Sequence, residues 1–183
     1  MQTKLFDIPP IRIKRPTFDT IDFSDAYEEM AEEIISWESD SSASLEETAE
    51  DLKKLFSISE IYTEGGYELA KKMERSWAVD VDTELVNILD GFSNIVHMAC
   101  REAERNWVKD CWITPKHSIG DVVKTKVRGK EYEGTIVSIY NDLAEYVINI
   151  LELGHVKAGE MGTQGTVKHF EDIEEDFFEN KNK

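Results

Sequence analysis

Carboxylates dominate the residues of this chain that could do chemistry. Positions 17–60 hold fourteen acidic residues and two basic ones, within a chain of net charge −17. On a helical reading, Asp25, Glu28, Glu29, Glu32 and Glu33 share one face, and Glu46, Glu47, Glu50 and Asp51 share a face of the next helix. Such faces can simply be solvated, can present negative charge to a basic partner, or can hold a hard cation. The last option needs the pairs Glu29/Glu32 and Glu47/Glu50 to face each other, as carboxylates that grip Mg²⁺ do. A second set is basic: Lys124, Lys126, Arg128 and Lys130. Period-two spacing puts the first three on one side of a regular strand, where they could meet phosphates or merely guard an exposed edge. His97, His117, His155 and His169 show no ligand spacing, and Cys100 and Cys111 form no CxxC pair. Gly91-Phe92-Ser93-Asn94-Ile95 is not a nucleophile elbow, and the glycines at 154, 159, 162 and 165 lack the Lys-Ser/Thr of a phosphate loop. No catalytic residue, metal ligand set or cofactor is therefore assigned.

These residues need elements to hold them. The longest expected helix is Asp82–Trp107, whose apolar residues Leu85, Leu89, Phe92, Val96, Ala99, Ala103 and Trp107 recur at steps of three and four. Acids at its start and bases at its end suit the helix dipole. Gly91 inside it is read as a close helix crossing. Before it, Ser24 or Asp25 caps a helix to about Trp37. Ser44 and Glu47 form a capping box for a helix to Leu55-Phe56, and Tyr67–Trp77 follows the Gly65-Gly66 break. Residues 1–23 hold three of the four prolines and form an extended arm, which packs along the domain or docks on a partner or a second copy.

From Ser118 the period changes to two. Strands are expected around 119–127, 133–140, 146–151 and 165–170, joined by glycine-bearing turns. The expected fold is α+β: arm 1–23, helical domain 24–113, small antiparallel β-barrel 118–174 and acidic tail 175–183. Trp107, Trp112 and Ile113 are the expected joint between the two domains. Ile119-Gly120-Asp121-Val122-Val123, Gly129, Glu133-Gly134-Thr135-Ile136-Val137-Ser138-Ile139 and the closing Val167–Ile173 resemble a KOW/Tudor-type small barrel, over less than a third of the chain. That resemblance implies a module that binds nucleic acid, binds peptides or supports a neighbouring domain. The E-x-x-E pairs resemble those of all-helical nucleotide pyrophosphatases, without the E-x-x-D half of that motif.

No stretch reaches the length of a membrane span and the N-terminus lacks a signal-peptide core, so the expectation is a cytoplasmic protein that does not engage membranes, with free thiols. Its acids point to a non-enzymatic inhibitor or adaptor docking on a basic, nucleic-acid-handling protein. Proteins that imitate DNA work this way, among them phage proteins that block restriction or CRISPR systems. The alternatives are direct nucleic-acid binding through the basic strand and, more remotely, Mg²⁺-dependent nucleotide hydrolysis.

Overall fold

The computed structural model describes residues 14–38, 43–156, 162 and 164–173. The arm up to residue 13, positions 40–42 of the polar linker, most of the glycine loop and the acidic tail lie outside the described residues. The layout is α+β, mostly helical first and then a curled antiparallel sheet. The chain divides into two compact units, Pro16–Ala103, and Arg15 with the residues from Glu104 onward.

The first unit contains α1 (Ser24–Trp37), α2 (Leu45–Leu55), α3 (Ile58–Thr63), α4 (Gly66–Trp77) and the larger part of α5 (Thr83–Asp110). Its core is built from the apolar stripes: Met30, Ala31 and Ile34 of α1, Leu52 of α2, Phe56, Ile61 of α3, Leu69 and Met73 of α4, and Leu85, Leu89, Phe92 and Val96 of α5. Burial of each large side chain contributes on the order of 1.5–3 kcal/mol. The buried Tyr27 hydroxyl donates to the Phe56 carbonyl, so a polar group inside this core is satisfied.

Local chemistry sets the helix starts. Ser44 and Glu47 make the expected capping box, and Ser57 and Glu60 make a second one that starts α3. The N-cap position of α1 is Phe23, which caps nothing. Instead the Asp22 carboxylate accepts from the Ser24 N–H and hydroxyl, so neither Ser24 nor Asp25 caps the helix. The close helix approach is at Gly66 and not at Gly91. A Cβ on Gly66 would fall inside contact distance of the Val86 carbonyl oxygen and 2.5 Å from the Asp90 nitrogen, whereas one on Gly91 would meet nothing. The Asp90 carboxylate accepts the Gly66 N–H, which satisfies a donor at the start of α4.

The second unit holds a four-stranded sheet of order β1-β2-β3-β4: β1 (Val122–Val127), β2 (Lys130–Tyr140), β3 (Glu145–Asn149) and β4 (Thr166–His169). All three pairings are antiparallel, with a bulge at Val137 between Ile136 and Ser138. Bulges bend a strand and raise its twist, which suits a half-barrel. Val123, Ile136, Tyr146, Ile148, Ile150 and Phe170 fill its concave side together with Trp107 and Val108 of α5. The short helix α6 (Phe170–Ile173) packs against both β1 and β4, and the Lys168 Nζ donates to the Lys126 carbonyl oxygen at 2.6 Å. Trp107 and Ile113 belong to this unit's own core, whereas Trp112 is 81% exposed. Cys100 and Cys111 are half-buried and are not joined in a disulfide. Among the described residues, no helix is long and apolar enough to cross a membrane.

Candidate functional site

The nine acidic residues singled out from the sequence are all exposed: Asp25, Glu28, Glu29, Glu32 and Glu33 on α1, and Glu46, Glu47, Glu50 and Asp51 on α2. The two sets differ in what they are committed to. On α2, Glu47 is held in the capping box, Glu50 lies 3.8 Å from the Lys53 Nζ and Asp51 lies 2.8 Å from the Lys54 Nζ. These are local pairs of small energetic weight, yet each supplies a positive charge beside its carboxylate. The five α1 carboxylates make no ion pair among the described residues. Their buried counterparts Ala26, Tyr27, Met30, Ala31 and Ile34 fix the opposite side of α1 in the core, so the acidic side faces water by helical geometry. At 1.5 Å per residue, five charges spread over about 12 Å of axis, one per about 2.4–3 Å, which is sparser than a duplex at one per about 1.7 Å and comparable to a single strand at one per about 3.4 Å.

The E-x-x-E pairs do not assemble into a metal centre among the described residues. Glu47 serves its helix cap, and the only group of three His, Cys or carboxylate donors drawn together there lies elsewhere.

The basic set is rearranged by the hairpin. Lys124 and Lys126 are exposed on β1, but the strand ends at Val127. Arg128 and Gly129 form a two-residue turn with φ of 51° and 82°, because Val127 pairs directly with Lys130. Positive φ at both central positions matches the twist of a tight hairpin. Arg128 thus leaves the strand face, and the Lys130 Nζ sits 4.8 Å from the centroid of the Tyr132 ring. Lys124 faces Glu133 across the pair of strands, and Lys126 faces Glu131. Directly opposed side chains share a face, so each lysine has an acidic neighbour there. Lys124, Lys126 and Lys168 line one depression together with Glu131, Glu171 and Asp172.

Two constellations in the second unit are not visible in any sequence spacing. The first is centred on Arg15. Its Nε and Nη2 donate to the two oxygens of Glu171, Nη1 donates to Glu104 at 3.0 Å and to the Leu143 carbonyl at 2.9 Å, and Nη2 also donates to the Ala144 carbonyl at 3.0 Å. All five guanidinium N–H groups are used. The guanidinium carbon lies 4.8 Å from the centroid of Trp107. Burial alone would lower the Arg15 pKa, but the hydrogen bonds and charge of Glu171, then Glu104, more than reverse it and the group is held further toward the charged form. The second constellation brings together Glu104 of α5, Glu145 of β3 and His169 of β4. One donor atom from each lies within 4.8 Å of the others. Glu145 and His169 are direct cross-strand partners, with Nδ1 3.7 Å from the Glu145 carboxylate.

Comparison with family models, with curated proteins and with solved structures finds no match for this chain.

Proposed function

We propose that the protein is a non-enzymatic acidic binding protein, an inhibitor or adaptor that docks on a basic, nucleic-acid-handling protein. The contact surface in this reading is narrower than nine residues. It is the α1 face of Asp25, Glu28, Glu29, Glu32 and Glu33, with the α2 acids as a flank whose charge is partly offset by Lys53 and Lys54. The observation that carries it is the absence, among the described residues, of any ion pair to these five carboxylates, on a helix whose other side is fully committed to a core. A dense run of unpaired carboxylates raises the local concentration of a cationic partner and speeds its encounter, and a groove built for phosphates can accept it. The KOW/Tudor-like half-barrel is in this reading a supporting module. Its lysines alternate with glutamates across the strands, which favours support over phosphate contact.

The test is a competition. Purified basic DNA-binding proteins are loaded with labelled duplex and titrated with the full chain while anisotropy is followed. Displacement of the duplex from at least one of them is expected. The combined change of Glu28, Glu29, Glu32 and Glu33 to lysine should abolish displacement, and reversal of Glu46, Glu47, Glu50 and Asp51 should weaken it less. Labelled DNA and RNA titrated directly with the chain across a salt series should show no binding. Direct binding that weakens steeply with salt would replace this reading with nucleic-acid recognition through Lys124, Lys126 and Lys168.

A further inference from the structure

We propose that Glu104, Glu145 and His169 form a binding site for one divalent transition-metal ion, with zinc as the best-matched metal. Among the described residues no other three His, Cys or carboxylate donors converge this closely. The His169 Nδ1 atom is buried and has no hydrogen-bond partner, although its ring reaches the surface elsewhere. A buried ring nitrogen without a partner is costly, because its lost hydration is not replaced. Metal coordination through its lone pair removes that cost.

The geometry is close to what an ion needs. Two donors at zinc bond lengths of about 2.0–2.1 Å and tetrahedral angles lie about 3.3 Å apart. The Nδ1–carboxylate separation of 3.7 Å is within a few tenths of an ångström of that. The cross-strand pairing of Glu145 with His169 fixes this pair on the backbone, and Glu145 is only 3% exposed. Glu104 closes the triangle from α5 by a side-chain adjustment. Its contact to Arg15 takes one of the roughly four acceptor sites of the carboxylate and helps to fix the group's position. Two carboxylates and a neutral imidazole together carry two negative charges, which a divalent ion cancels. An imidazole donor selects zinc and its transition-metal neighbours over Mg²⁺ and Ca²⁺. Three protein donors leave a fourth position for water or for a ligand from a partner.

The test uses the full chain stripped with chelator and titrated with ZnCl₂ by calorimetry. One ion per chain, bound saturably, is expected. His169→Gln should weaken binding at least tenfold, and Glu68→Gln, which changes an exposed carboxylate of α4, should bind zinc as the unmodified chain does. Co²⁺ added to the unmodified chain should give the intense visible bands of a four-coordinate site, a readout that does not depend on any variant folding. The proposal is overturned by a missing one-to-one phase, by equal zinc affinity in His169→Gln, or by a Co²⁺ spectrum like that of the aqueous ion. The first of these would leave Glu145 and His169 as cross-strand neighbours only.

Discussion

Replacing Arg15 with alanine should destabilise the half-barrel unit more than any other single surface-charge change. The side chain is 11% exposed and its carboxylate partners Glu104 and Glu171 are 14% and 19% exposed. Removing the guanidinium takes away five hydrogen bonds at once. It also leaves two poorly hydrated carboxylates beside the Leu143 and Ala144 carbonyls. Breaking a fully buried pair costs about 3–5 kcal/mol, and the residual exposure here lets water recover part of that, so about 3 kcal/mol is expected. For a unit of under a hundred residues this corresponds to a fall in Tm of roughly 12–24 °C. The assay is calorimetry of the full chain with urea unfolding in parallel, so that the slope shows whether the same unit is melting. Arg15→Lys should recover less than half of the loss, because an ammonium offers three donors in a different geometry and cannot grip Glu171 with two parallel bonds. A loss below about 1 kcal/mol would put these pairs in the class of exposed salt bridges and refute the reasoning.

The two glycines of the helical unit should respond in opposite directions. Gly66→Ala should lower stability by more than about 2 kcal/mol, because the new methyl meets backbone atoms of α5 that cannot give way, whereas Gly91→Ala should raise it by about 0.5–1 kcal/mol; urea midpoints of the two variants decide both. Glu60 predicts a pH dependence: hydrogen bonds from Lys72, then from the Ser57 N–H and hydroxyl, hold its carboxyl at about 2 against an ordinary 4.5. The folded form is the one with the depressed pKa, so this contribution is complete above about pH 4.5 and fades as pH falls toward 2. The stability difference between the unmodified chain and Glu60→Gln should therefore shrink over that interval, and a difference independent of pH would count against it.

Much of the architecture was legible because it follows from local periodicity. The stripe from Leu85 to Val96 lies in the helical core as spaced, and the strands fall where alternation begins. Ser57-x-x-Glu60 carried the same start signal as Ser44-x-x-Glu47, yet α3 was hidden because six residues are too few for a helical period to show. Glycine alone does not announce which of its neighbours will be close, so Gly91 drew attention that belonged to Gly66. Arg128 was placed by strand period on a face that the turn removes it from. Arg15, Glu104, Glu145, His169 and Glu171 escaped notice for a different reason. They are separated by up to 156 positions and meet only through strand register and a passing segment of chain, and no spacing rule encodes that.

An open sheet has a first strand and a last, and among the described residues β1 and β4 each lack a strand neighbour on one side. Among the described residues, the gap between them is spanned by an ammonium group on a carbonyl and by one turn of helix. The amides along this seam should therefore exchange with solvent earlier than those of the β2–β3 ladder. Where it opens, two rows of backbone donors and acceptors become available to a second chain. Lys124, Lys126 and Lys168 then act as a deterrent to such pairing, since a stacked copy would bring like charges together. Neutralising them should cost little in folding and show instead as a lower concentration threshold for self-association on prolonged storage.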